Sequence, residues 1–134
     1  MAYSLYNTIR HVPLNIKISI FCTALKLLPT VYIYRMINYI VEFLGTFVFL
    51  YIILQSGGYG NLQPIVVSIG LLAAILLFGS VSGGHFNPAV TAMMYAKQDP
   101  KVAMPADAIG YIVAQVLGGL VALQAHRTIT AAAM

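Results

Sequence analysis

Polar side chains are so sparse along this chain that their positions mark out its elements. Met36 to Ser56 is 21 residues long and carries one charge, Glu42. A span needs about 20 apolar residues, so this run predicts a first membrane crossing over 36–56. Gly57-Gly58-Tyr59-Gly60-Asn61 interrupts it with turn residues, and Pro64 opens a second apolar run to Ser82, predicting a crossing over 64–82. Between 83 and 97 come two glycines, His85, and a short apolar stretch that ends at the polar stop Lys97-Gln98-Asp99. Asn87 suits an N-cap and Pro88 the first helical position, which predicts a helix to about Ala96, too short to cross. Pro105-Ala106-Asp107 is an entry signal for a third crossing over 108–125, with Gln115 its one strongly polar side chain. The expectation is an all-α membrane protein of three transmembrane helices and one re-entrant half-helix.

The first 35 residues break this regularity. Residues 12–34 are apolar but contain Lys17, Lys26, Pro13 and Pro29. A Lys at the centre of a span costs about 2.5–3.5 kcal/mol, which disfavours a fourth crossing. Arg10, Lys17, Lys26 and Arg35 among Leu, Ile, Phe and Tyr instead predict a basic amphipathic segment that lies on the membrane surface or meets a partner. The expected domains are this arm (1–35), a bundle over 36–126 and a short tail over 127–134.

Composition agrees with a bilayer. Of 134 residues 60% are hydrophobic and 7% charged, and the mean hydropathy is +0.89. An ordinary soluble surface needs roughly 25% charged residues. The net charge of +4 bears on topology: with three crossings, the arm and the 83–107 segment share one side, with six Lys/Arg, against one in the tail. That bias predicts a cytoplasmic N-terminus and a C-terminus on the opposite side. Nucleic acid is not an expected partner, because no basic run is long enough. The lone Cys22 excludes an internal disulfide, and three acidic groups with three scattered histidines build no nucleophile–base pair or metal spacing. No enzyme, metal or cofactor is expected.

The loop carries the chemistry. Unpaired backbone in hydrocarbon costs several kcal/mol, so Gly83-Gly84 at membrane depth implies a water-filled or protein-lined cavity. The half-helix beginning after Asn87 would aim free N–H groups and a positive dipole end at mid-membrane, with loop carbonyls as acceptors beside it. Such a site suits neutral polar solutes and opposes cations. An interfacial turn followed by a surface helix is the plainer reading of the same residues. Gly110, Ala114, Gly118 and Ala122, at four-residue steps, put small residues on one face of the third helix, where another helix can approach.

Three motifs in order, Glu42-Phe43-Leu44-Gly45-Thr46-Phe47, Ser82-Gly83-Gly84-His85-Phe86-Asn87-Pro88-Ala89-Val90-Thr91 and Tyr111-Ile112-Val113-Ala114-Gln115-Val116-Leu117-Gly118-Gly119, resemble the first half of the aquaporin and glycerol-facilitator (major intrinsic protein) family. The resemblance covers about residues 36–125. It implies that Asn87 donates to water or a glycerol-like solute at the pore centre and that Pro88 and Ala89 shape the half-helix start. It also implies that Gly83, Gly84, His85 and Phe86 line the approach, while Glu42 and Gln115 hold the loop. The family carries two inverted repeats, and one is present here. The implied partners besides the lipid bilayer are a second copy in a homo-oligomer, a complementary half-channel, or another membrane or scaffold protein. Two functions follow: a channel subunit for water or small neutral solutes that needs a partner to complete its pore, or a non-transporting structural protein anchoring an assembly such as a scaffold or viral shell to a membrane.

Overall fold

The computed structural model describes residues 12–133, and Arg10 of the basic arm lies outside them. The described residues form helices and turns, with no strand. Helix α1 is Leu14–Gln55, a 3-10 segment covers Ser56–Leu62, α2 is Gln63–Ser82, α3 is Pro88–Ala96 and α4 is Pro105–Ala132. Two helical stretches, Leu14–Ser82 and Pro105–Ala132, are long and apolar enough to cross a membrane. Gly60, at φ 52° and ψ −124°, breaks the first of them between α1 and α2. The 20 residues of α2 rise about 30 Å, the thickness of a bilayer's hydrocarbon core.

The chain divides into two compact units that meet in sequence at Tyr34 and Arg35. In the first, residues 14–34 are helical with large apolar side chains exposed all along, among them Ile20, Phe21, Leu28 and Tyr32. Pro29 sits inside this helix and leaves the carbonyl four residues earlier without its usual donor. Helix α1, Leu14–Gln55, is one element across this division. Nothing from Thr30 to Leu44 is a glycine or proline that would stop a helix.

The second unit, from Arg35 onward, places small and polar residues inside and large apolar ones outside. Glu42, Thr46, Ala74, Ser82, Thr91, Gln115 and Ala122 are buried, whereas Ile65, Ile69, Leu76, Ile109, Val113 and Leu120 are exposed. In water this inverted arrangement would be unstable. In lipid it is expected, because tails solvate the outer face and small residues let helix backbones approach. Gly118 shows how close: a Cβ there would lie 2.5 Å from the Phe43 carbonyl oxygen and 3.2 Å from the Phe47 nitrogen. Gly110 admits the ring of Tyr39, whose Cζ would be 2.6 Å from an added Cβ. Ala114 and Ala122 are buried on the same face.

Helix α4 is longer than the 108–125 crossing read from hydropathy. It begins at Pro105 and runs to Ala132, so most of the expected tail is helix. Thr128 to Ala132 holds no glycine, proline or charge to end it, and alanine is the strongest helix former.

Candidate functional site

The loop between α2 and α3 is bent by two consecutive left-handed glycines. Gly83 closes α2 at φ 99° with its N–H on the Gly79 carbonyl at 2.9 Å. Gly84 follows at φ 67°, and a Cβ there would come within 3.1 Å of the Gly79 Cα. Both positions need glycine, for the torsion and for the close approach. Phe86 is then held at φ 45°, where a side chain costs about 1–3 kcal/mol. Its ring is buried against Gly45 of α1, where an added Cβ would collide with it.

Glu42 holds that strained backbone. Its Oε1 accepts from the His85 N–H at 3.0 Å and from the Ser82 hydroxyl at 2.6 Å. Its Oε2 accepts from the Phe86 N–H at 2.7 Å and from Gln115 Nε2 at 2.8 Å. The second hydrogen on Gln115 Nε2 goes to Thr91 Oγ1 on α3 at 2.8 Å, and Thr91 Oγ1 also meets His85 Nδ1 at 3.1 Å. Tyr111 donates to the Ser82 carbonyl at 2.7 Å, and Ser82 Oγ accepts from the Gly84 N–H. One network therefore ties α1, α2, the loop, α3 and α4, and its side chains are 5% exposed or less. A buried polar network is stable only when its members are paired, and nearly all of these are.

Two atoms beside this network are left over. Thr46 Oγ1 and Gln115 Oε1 are buried without a partner among the described residues, and both residues line a cavity of about 370 Å³ that also reaches Asn87 and Pro88. An unpaired buried hydroxyl costs about 1–3 kcal/mol. Thr46→Val is accordingly expected to leave the melting temperature in detergent unchanged or a few degrees higher; a drop would mean that the hydroxyl has a partner in the membrane.

Asn87 stands at the rim of this cavity. Its backbone is extended, φ −157° and ψ 125°, and its Oδ1 caps the half-helix by accepting the Ala89 N–H at 2.8 Å. With the oxygen so engaged, the amide Nδ2 presents two donors that have no partner among the described residues. Asn87, Pro88 and Ala89 are exposed, Gly83 is exposed and Gly84 half-buried. The rings of His85 and Phe86 turn inward, so what these two residues can offer outward is backbone. Of the sequence candidates, Glu42, His85, Phe86 and Gln115 meet in the network, while Gly83, Asn87, Pro88 and Ala89 face away from it.

Ser82, Thr91 and Tyr111 belong to the network and had no role in the sequence reading. The signal was present: hydroxyls inside apolar elements need partners, and Ser82 and Thr91 flank the loop. A second cluster was not legible at all. Arg35 Nε pairs with Asp107 Oδ1 at 3.3 Å, and Tyr39 donates to the same oxygen at 2.9 Å.

A helical bundle with an apolar exterior, a polar interior and a loop held by a buried carboxylate is an integral, multi-pass membrane protein. Residues 30–134 match the model of the family described as major intrinsic protein, and the chain belongs to that family, whose members are channels and not enzymes. It is 42% identical over 99 residues to a glycerol uptake facilitator protein-like 6 of Lactiplantibacillus plantarum, covering 71% of this chain and 44% of the relative. It is 34% identical over 92 residues to an aquaglyceroporin of Toxoplasma gondii, covering 66% and 34%. A probable aquaporin PIP2-8 of Arabidopsis thaliana is 36% identical over 93 residues, covering 60% and 32%. The chain thus spans less than half the length of these curated relatives. No solved structure matches it significantly.

Proposed function

We propose that the chain forms one side of a pore for water or small neutral solutes, crossing the bilayer with α2, α4 and the part of α1 from residue 36, with α3 as a re-entrant half-helix. The observation that carries this reading is Asn87: an exposed amide with two unengaged donors, fixed at the N-terminus of a nine-residue helix by a network that reaches every neighbouring helix. Donors with a positive helix end behind them favour the oxygen of a neutral solute and repel a cation. Gly83 and Gly84 supply backbone acceptors on the approach; Glu42 and Gln115 hold the loop. The opposing wall comes from a partner, a complementary half-channel or a second copy. The six-to-one distribution of Lys and Arg favours a cytoplasmic N-terminus and so disfavours copies inserted in opposite senses.

The test is stopped-flow swelling in water and glycerol gradients of vesicles that hold the assembly purified in mild detergent. Asn87→Asp keeps the helix cap, since aspartate caps as well as asparagine, but removes both donors and adds a charge. Permeability above that of empty vesicles is expected, and a fall of about tenfold in the variant, as for the loss of a charge-scale hydrogen bond. Verified insertion without permeability, or full permeability in the variant, would sink the reading.

A further inference from the structure

A second cavity lies between the same two helices, shares no lining residue with the first and is more apolar. It measures about 640 Å³ and is walled by Tyr39, Ile40 and Phe43 of α1 and by Ile109, Val113 and Leu117 of α4. Along α4 it runs from Ala106 to Leu117, about 16 Å at 1.5 Å per residue. One leaflet of hydrocarbon is about 15 Å deep, half of a core about 30 Å thick.

Its Ala106 end is polar. Asp107 accepts from Tyr39 and pairs with Arg35, one helical turn before Tyr39 on α1. Arg35 uses Nε on Asp107 and one Nη2 hydrogen on the soft sulfur of Met104 at 2.8 Å. A guanidinium has five N–H donors, so three are left without a partner among the described residues, on a side chain that is 34% exposed. Arg35 also immediately precedes the apolar run that begins at Met36, which puts it at headgroup depth.

We propose that this cleft binds a phospholipid, one acyl chain lying between α1 and α4 and the phosphate bonded to the free donors of Arg35. The length matches one leaflet, the walls are largely hydrocarbon, and Arg35 at the polar end retains donors, unpartnered among the described residues, that suit an anionic oxygen. Arg binds phosphate through two parallel N–H bonds when both are free. A partner helix would fill the cleft but would leave those donors unpaired. The proposal does not depend on conduction, because the cleft shares no lining residue with the cavity that reaches Asn87.

Native mass spectrometry of the full chain in detergent, with added dioleoyl phosphatidylglycerol, dioleoyl phosphatidylcholine or uncharged dioleoylglycerol, tests it. Wild type is expected to retain one phospholipid per chain, about tenfold more tightly than dioleoylglycerol, the scale of a charge-assisted hydrogen bond. The double variant Arg35→Gln/Asp107→Asn removes both charges together, leaving neither buried and unpaired, and is expected to hold all three lipids at the dioleoylglycerol level. Ile109→Trp places a ring in the cleft from a residue that is 61% exposed, so folding is spared; circular dichroism checks this, and retention of every lipid is expected to fall. Equal retention of the two phospholipids supports a contact made by phosphate, and a preference for phosphatidylglycerol supports one strengthened by net charge. Unchanged phospholipid retention in either variant overturns the proposal, as does a dimer mass without lipid that Ile109→Trp abolishes.

Discussion

Glu42→Ala is expected to release the loop. The substitution leaves the buried N–H groups of His85 and Phe86 without an acceptor, together with the Ser82 hydroxyl and one hydrogen of Gln115. The two backbone groups alone are expected to cost about 2–6 kcal/mol, at 1–3 kcal/mol for each buried donor left unpaired. The side-chain bonds add less, since interhelical side-chain bonds in membranes average about 0.6 kcal/mol. Backbone donors dominate because they cannot turn away to find other partners. The strain at Phe86 makes the effect local, because a residue at φ 45° stays there only while its surroundings hold it. Amide exchange read by mass spectrometry should show His85 and Phe86 protected in the wild type and fast in the variant, with a lower melting temperature. Glu42→Gln is expected to recover less than half of the loss: it offers one acceptor oxygen where the carboxylate has two, and its own N–H₂ faces other donors. Unaltered protection in Glu42→Ala would mean that the loop is held by something other than this carboxylate.

The second large effect is expected at Gly118. The methyl of Gly118→Ala would stand 2.5 Å from the Phe43 carbonyl oxygen and 3.3 Å from its carbon, and backbone cannot rotate aside. The helices have to separate, and an overpacked contact costs about 1–3 kcal/mol. The cost extends into the site, because Gln115 lies one turn before Gly118 on the same face of α4. Its 2.8 Å bond to Glu42 lengthens past hydrogen-bonding range if the helices move apart by about 1 Å. Gly119 is the control. A methyl there meets only the end of Leu50, at 2.8 Å, which can change rotamer, and alanine is the better helix former by about 0.5–1 kcal/mol. Gly118→Ala should therefore lower the melting temperature and weaken the protection of His85 and Phe86, while Gly119→Ala leaves both near wild type. Equal behaviour of the two variants would show that the close approach of α1 and α4 is not what sets the site.

The helices were legible to different degrees, and the reason differs for each. Helix α3 could be placed closely because its start is chemical: asparagine caps, proline follows, and glycines come before them. Helix α2 lies between a proline and a left-handed glycine, both visible in the sequence. The end of α4 was not legible. Hydropathy reports where lipid would solvate the chain, whereas helix termination depends on glycine, proline or a cap, and His126–Ala132 contains no glycine or proline. The small-residue stripe showed which face of α4 is packed, since its period matches the helix. It did not show that Gly118 meets backbone where Gly110 meets a ring, because that depends on the partner helix.

Hydrophobic content, the spacing of polar residues and the three motifs determined that this is a helical membrane protein of the major intrinsic protein family. These are local or additive properties, and they can be read without knowing what lies opposite. Tertiary structure alone decided which donors Glu42 receives and that Thr91 and Ser82 complete the network. It also decided that His85 turns inward while the two Asn87 donors have no partner among the described residues, and that Arg35 meets Asp107 at the end of an apolar cleft. Hydrogen bonds act over about 3 Å, and these partners lie 6 to 73 residues apart in the chain. Only the packing of one helix against another brings them into range.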